Sequence, residues 1–382
     1  MALLDSVHLT MLIGPTLPLP APPTLMEALQ SVEVTHRDDG PNGFQISFSL
    51  GRGSLADVLD YGMLLGPVLK PFNRVILVVT HNGLPAVLMD GVVTHRQHAP
   101  DTEPGSALVT ITGEDVSVMM DLEEKRAAHP CLPDMAIAAK IMLGYAKYAI
   151  VPDVRPPMAL DMPLPVMRVP MQVGTDLQML RGLAARNGFV FYVEPGPVPG
   201  TNRGYWGPPK RLDLPQPALN IGMGRDSNGA KLQFEYDALA PAVVGDTVQD
   251  SVTGARLPVR TFASTRLPPL VLDPATTPLH TTRSVLASAP GGLNMVQAYG
   301  RAQAVTDNAS DAVVTARGEV DTLRYGRALR ARGLVGVRGA GYTHDGLYYV
   351  KRVTHKIGPG TYTQDVTLTR EGETALLPVV VP

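Results

Sequence analysis

The stretch Gln172-Val173-Gly174-Thr175-Asp176-Leu177-Gln178-Met179-Leu180-Arg181-Gly182-Leu183-Ala184-Ala185-Arg186-Asn187-Gly188-Phe189-Val190-Phe191-Tyr192-Val193-Glu194 spells out a helix with both ends marked, followed by a strand. Thr175 and Gln178 have capping-box spacing, in which each side chain satisfies a backbone N–H near the other. Leu177, Leu180, Leu183 and Ala184 recur at helical period on one face, and Gly188 suits the left-handed residue that terminates a helix. The apolar run from Phe189 to Glu194, including Phe191, reads as a buried strand. This part of the chain is therefore mixed α and β, with a helix expected near 176–187. A second helix is expected near 133–149, where Pro133 suits a first helical position, Asp134 the positive N-terminal end, and Ile137, Ile141, Tyr145 and Tyr148 one apolar stripe.

Outward in both directions the period changes to two, the mark of half-buried strands. Val7, Leu9, Met11 and Ile13 alternate with His8, Thr10 and Leu12. Val32 to Arg37 and Phe44 to Leu50 flank the turn Asp38-Asp39-Gly40-Pro41-Asn42-Gly43, Arg74 to Thr80 meets Leu84 to Met89 across His81-Asn82-Gly83, and Val92 to Arg96 pairs with Ala107 to Thr112. Proline-rich stretches, 151–170 and 195–217, suggest crossings between domains. Strand pattern returns from about Asn220, with a loop-rich excursion near 241–292, a helix from Met295 to Asp307, and a last hairpin joined through Gly358-Pro359-Gly360. A faint echo hints at two related β units. Val93-Thr94-His95-Arg96 then Thr110-Ile111-Thr112 resembles Val353-Thr354-His355-Lys356 then Thr367-Leu368-Thr369, although Val34-Thr35-His36-Arg37 shows that so short a string also recurs elsewhere.

Composition limits the function classes. With 382 residues, 45% of them hydrophobic, and 37 Gly plus 36 Pro, the chain is globular and loop-rich. A net charge of −2 is far from the basic excess that phosphate neutralisation demands, so no sequence-specific nucleic-acid binding is expected. Cys131 is the single cysteine, which excludes an intrachain disulfide and multi-cysteine zinc, and a reducing cytoplasm is the default compartment. Prolines 15, 18, 20, 22 and 23 interrupt the uncharged N-terminal stretch, and Asp5 stands where a signal peptide wants a basic residue, so neither membrane insertion nor export is expected.

Catalytic and metal motifs are weak. His95 and His98 fall on opposite faces of a strand, and His344-Asp345 reads as turn chemistry before Gly346. No Gly-x-Ser-x-Gly is present, and the pairs Gly51/Gly53 and Gly222/Gly224 never form Gly-x-Gly-x-x-Gly. No cofactor is expected. Glu114, Asp115, Asp121, Glu123 and Glu124 read as the solvated, negative opening of a helix, with a glycan-cleaving carboxylate pair as the rival reading. Arg317, Arg324, Arg327, Arg330, Arg332 and Arg338 form an arginine-rich stretch suited to a carboxylate-rich partner or to a solvated β surface. Trp206 either anchors a partner, as in an adhesin, or packs over its own proline-rich loop.

The residues quoted resemble the late control protein D group of phage tail hubs, which includes the T-even baseplate hub, the hub portion of type VI secretion spike proteins and the hubs of extracellular contractile injection systems. The run Thr175, Asp176, Leu177, Leu180, Leu183, Gly188, Phe189 and Phe191 looks like that family's leucine helix, Asn-Gly-Phe and aromatic strand. Gly346, Tyr349, Val350, Val353 and His355, followed by Tyr362-Thr363 and Leu368-Thr369-Arg370, give a second match, and the hairpin from Val34 to Leu50 a weaker third. The resemblance implies a mainly β protein with an α+β insertion: two tail-tube-like antiparallel β-barrel domains at 1–118 and 220–382, and mixed material at 119–219.

It further implies a homotrimer that adapts a threefold spike to a sixfold inner tube, with other baseplate proteins around it, in the baseplate of a virion or injection system assembled in the bacterial cytoplasm. The chain stops twelve residues after Arg370, so the spike is expected to be a separate protein. The apolar end, with Val379 and Val381, is expected to dock on that spike or on its own barrel, and Arg324, Arg327 and Arg330 are candidate partner contacts.

Overall fold

The computed structural model describes residues 7–51, 68–81, 83–100, 106–158, 162–163, 168–250, 253–277, 280–286 and 293–376. The first β region holds β1 (His8–Gly14), β2 (Leu19–Pro20), the short α1 (Pro23–Glu27), β3 (Leu29–Arg37), β4 (Gly43–Gly51), β5 (Arg74–His81), β6 (Leu84–Pro100) and β7 (Ser106–Asp115). The expected hairpins form in register, with Val34 opposite Phe44, Thr80 opposite Pro85, and Arg96 opposite Ile111. Alternation puts Met11, Val34, Ile46, Leu77 and Ile111 on one face, where they share a single core with Leu25 from α1. In space the strands run β1-β5-β6-β7-β4-β3.

The mixed region follows. It carries β8 (Glu124–Ala128), α2 (Asp134–Leu143), β9 (Ile150–Val154), β10 (Met171–Thr175), α3 (Asp176–Arg186), β11 (Val190–Pro195) and β12 (Asn202–Gly207). The first expected helix stops at Leu143 rather than near 149, and Pro133 is its N-cap. Glycine 144 follows, and a separate 3-10 turn at Ala146–Tyr148 returns the chain to β9. The proline-rich stretches are not merely crossings, because most of β9 and all of β12 lie within them and the two strands pair in parallel.

The second β region holds β13 (Gln216–Asn220), β14 (Ala230–Tyr236), β15 (Ala242–Gln249), β16 (Arg256–Arg260), β17 (Val271–Pro274), β18 (Arg283–Val285), α4 (Met295–Ser310), β19 (Val314–Asp321), α5 (Thr322–Tyr325), β20 (Leu334–Arg338), β21 (Gly346–Gly358), β22 (Thr361–Arg370) and β23 (Gly372–Ala375). Its main strands run β13-β20-β21-β22-β19-β14. In order of appearance, the six principal strands of both regions are therefore arranged 1-4-5-6-3-2. Four of the five pairings are antiparallel in both, and the fifth inverts: β1 is antiparallel to β5, whereas β13 is parallel to β20.

The repeat has an internal marker. Each fifth strand carries an irregularity just after a core valine, between Val93 and His95 in β6 and between Val350 and Arg352 in β21. Aligning the two makes the cross-strand row Val93, Gly113, Phe44, Val34 equivalent to Val350, Leu368, Ala316, Phe234. The Val-Thr-His echo falls on these equivalent strands but three positions out of register, so it is not the residue-level trace of the repeat.

The two β regions are joined edge to edge. The edge of β21 opposite β22 pairs with β20 over Gly346–Tyr349 and then with β3 over Arg352–Ile357. This makes one 13-stranded sheet with two cores. Tyr362 and Ile357 from the second region pack into the core of the first, which seals the seam with apolar contact as well as hydrogen bonds.

Candidate functional site

The helix that anchors the mixed region is built as its sequence specifies. Thr175 Oγ1 accepts from Gln178 N at 3.1 Å, and the Gln178 side chain accepts from Thr175 N. Asp176 accepts from Lys125, Tyr145 and Gln172 at 2.7–2.8 Å. Burial alone would raise the Asp176 pKa, but those three donors together hold it below its ordinary value. Leu177, Leu180 and Leu183 enter one core with Ile137, Phe191 and Trp206. At the far end Asn187 donates to Asp134 and to Leu183 O, both at 2.8 Å, and Arg186 clasps the same carboxylate. Gly188 takes φ +67°, and a Cβ there would sit 3.0 Å from Ala304 of α4, so glycine meets both the turn and a close approach.

Three buried polar knots fix the regions against one another. At the first, Asn42 donates to Val193 O at 2.8 Å, its backbone N–H donates to Asp115 at 2.9 Å, and Arg332 donates to its side-chain oxygen and to Arg37 O. The Arg332 guanidinium lies 3.8 Å from the Tyr192 ring centre, so one arginine of the second β region ties the opening hairpin to β11. At the second, Arg74 makes a fork on Asp90 at 2.6 and 2.7 Å, and Asn202 of β12 donates to the same carboxylate. At the third, Arg211 bridges Glu371 and Asp311, which fastens the end of α4. A cavity of about 330 Å³ lies among these parts, lined by Arg181, Arg211, Asn308, Tyr349 and Lys351.

The seam itself contains two buried histidines. His36 of β3 and His355 of β21 meet edge to face with ring centres 5.9 Å apart, and His355 Nδ1 lies 3.0 Å from Tyr362 Oη. Burial, aided by the Arg332 charge, lowers His36 to about 3, and burial with His36 lowers His355 well below its ordinary range.

Several sequence expectations change in this setting. Trp206 is neither an exposed anchor nor a cover for its own loop. It is fully buried beneath α3, donates to Leu180 O and meets Phe189 edge to face at 4.9 Å. Glu114 and Asp115 do not open a solvated helix: Asp115 is buried at the end of β7 and caps a 3-10 turn through Ser117 N, with its second oxygen on Asn42 N. Glu124 lies in β8. Arg332 leaves the arginine stretch for the interior, while Arg324, Arg327 and Arg330 remain exposed. His95, His98 and Cys131 are exposed. Gly346, Tyr349, Val350 and His355 all lie on β21, with the last three buried. Ala375 is buried in β23, whereas Val379 and Val381 lie outside the described residues. Among the described residues no helix is long and apolar enough to cross a membrane.

Asn42 and Arg332 were invisible as a pair, because 290 residues separate them. The one local signal was the asparagine in the turn ahead of Phe44.

No protein-family model and no curated protein matches the sequence. Solved structures do match. The chain is similar to a tail protein from Neisseria meningitidis MC58, with 13% identity, 95% of this chain and 97% of that one covered, and a TM-score of 0.63. It is similar to the 43 kDa tail protein of prophage MuSo2 from Shewanella oneidensis, with 10% identity, coverage of 96% and 99%, and a TM-score of 0.62. A type VI secretion component from E. coli, described as structurally similar to the T4 tail proteins gp27 and gp5, gives 13% identity, coverage of 92% and 77%, and a TM-score of 0.52. At these identities the likeness is one of fold: this chain has the β-rich fold of tail proteins.

Proposed function

We propose that this protein is a structural baseplate hub of a phage tail or contractile injection system, a homotrimer that joins a separate spike to a hexameric inner tube. The observation that carries the reading is the repeated strand order, β1-β5-β6-β7-β4-β3 answered by β13-β20-β21-β22-β19-β14, in one hydrogen-bonded sheet. Two like units per chain make three chains equivalent to six units, so the assembly meets sixfold symmetry on one side and threefold on the other without a chemical step. The fold shared with tail and type VI secretion proteins supports the same reading.

The domains are 1–118, 119–219 and 220–382. The exposed Arg324, Arg327 and Arg330 face partners, and the C-terminal Val379 and Val381 serve the spike contact. The role is structural rather than enzymatic. Both oxygens of Asp115, the carboxylate a hydrolase would draw on, are already committed to backbone N–H groups. The place of action is the baseplate, reached by assembly in the bacterial cytoplasm. Light scattering on the purified chain, alone and mixed with its spike partner, tests the reading: a trimer is expected in at least one condition, and a monomer in both overturns it.

A further inference from the structure

The cavity where the three regions meet is walled by hydrogen-bonding groups that the fold itself leaves unused. We propose that it binds a saccharide, a neutral pyranose ring seated between α3, β21 and the end of α4. Such a site is independent of the hub assignment, and its failure would leave that assignment standing.

The volume, about 330 Å³, is that of a ligand pocket rather than of one bridging water, whose share is about 30 Å³. Tyr349, Asp38 and Arg211 all line it, and each has a buried polar atom with no hydrogen-bond partner among the described residues: Tyr349 Oη, Asp38 Oδ1 and Arg211 Nε. Tyr349 and Arg211 are only 5% and 4% exposed. Burial raises the pKa of both Tyr349 and Asp38, each also feels the other, and yet their oxygens close no hydrogen bond. The two Nη atoms of Arg211 are committed to Glu371 and Asp311, so Nε is the donor that remains. Asn308, also on the wall, accepts from Arg266 at 2.9 Å through Oδ1, which leaves its amide N–H groups as donors. Buried polar groups are nearly always paired, and several left over around one cavity call for a ligand that completes them.

Charge narrows the class. Asp311 is matched by Arg211 and Arg266 at 2.9 and 2.8 Å, Asp39 by Lys351 at 3.8 Å, and Arg181 lies in the field of Glu114. The lining sets Arg181, Arg211 and Lys351 against Asp38, Asp39 and Asp311, so it favours neither an anion nor a cation. The unused groups are donors on Arg211 and Asn308, an acceptor on Asp38 and a phenol that serves as either. A hydroxyl donates and accepts at one atom, so it can bridge Asp38 Oδ1 and Tyr349 Oη, which an amide cannot do through a single atom. A ring carrying several hydroxyls meets the remaining donors as well. Its C–H face needs an apolar wall, and Phe189, Phe191, Ala184 and Pro209 supply one.

Trp206, the single tryptophan, meets Phe189 of the cavity wall edge to face at 4.9 Å, so its emission reports on occupancy. The full chain is titrated at neutral pH with D-glucose, D-galactose and N-acetyl-D-glucosamine, with saturation-transfer NMR on the same mixtures as the direct readout. At least one sugar is expected to bind saturably, with a dissociation constant in the millimolar range or below. Tyr349→Phe should weaken that binding about tenfold, the worth of one buried hydrogen bond, and Asn308→Ala by a smaller factor. Leu214→Ala, on the exposed loop beyond Arg211, should leave it unchanged. Tyr349→Phe should also melt no lower than the parent, since it removes a hydroxyl that no described group holds; a lower melt overturns the premise that the hydroxyl is unused. No saturable binding of any of the three sugars overturns the assignment, as does binding that neither cavity variant weakens. If N-acetylglycinamide, a neutral peptide unit, binds with the same dependence on Tyr349 while no sugar does, the cavity belongs to peptide and the saccharide assignment falls.

Discussion

The two β units place their strands alike and fill their cores differently. In the first unit the equivalent row reads Val93, Gly113, Phe44, Val34, with the large side chain on β4 and none on β7 opposite it. In the second it reads Val350, Leu368, Ala316, Phe234, so the bulk has moved to the sixth strand and to β14. Backbone pairing holds the topology while side-chain volume is redistributed among neighbours, because a core demands filled space rather than a particular residue at a particular place. This is why the repeat is plain in the sheet and nearly absent from the sequence.

The largest expected effect breaks the first unit's solution. Phe44→Ala should cost about 3–5 kcal/mol in denaturant unfolding. The second unit's solution should not transfer, because a Cβ at Gly113 would lie 2.2 Å from the Val92 carbonyl. Phe44→Ala/Gly113→Leu is therefore expected to be no more stable than Phe44→Ala. A recovered midpoint would mean that the two rows are interchangeable after all.

Acid probes the seam joining the units. Unfolded, His36 and His355 titrate near 6.5, whereas their folded values are depressed, to about 3 for His36. The unfolded chain binds these protons first, so the stability they represent is whole above pH 6.5 and is lost as pH falls toward 3. Asp38 acts in the opposite sense. Burial pushes it up to about 6, so its folded form takes up a proton first and acidification through that range favours folding. Urea midpoints measured from about pH 7 down to 4 should fall more steeply for the parent than for His36→Gln/His355→Gln; equal slopes would show that acid acts elsewhere.

Smaller effects separate the seam from the mixed region. Gly188→Ala should cost about 1–3 kcal/mol, from the positive φ and the approach to Ala304. Thr175→Ala should cost about 1 kcal/mol by removing the helix cap. Thermal melts of both variants check these values.

Legibility followed the range of the interactions. The capping box at Thr175, the left-handed Gly188 and the hairpins around Asp38–Gly43 and Gly358–Gly360 depend on residues within a few positions of each other, and they form where the local pattern puts them. The helix near 133–149 came out short because its apolar stripe continued past Gly144 into a turn that packs against the same core. Trp206 and Arg332 were misplaced for a different reason. A side chain among prolines, or in a basic stretch, carries no local mark of burial when its partners are Leu180, Asn42 and Tyr192.

By itself the sequence determined the period of each segment, the caps and turns, the mainly β character with a mixed insertion, and the order of the regions, since all of these arise from neighbours in the chain. Only the tertiary structure decided that β3 joins β21 to make one sheet, that the units repeat as 1-4-5-6-3-2, and which edges are left without a described partner. Those features depend on pairings across as many as about 320 residues, as between Thr35 and Thr354, where the hydrogen-bonding groups are backbone and identical at every position. The choice among them is made by closure of the cores.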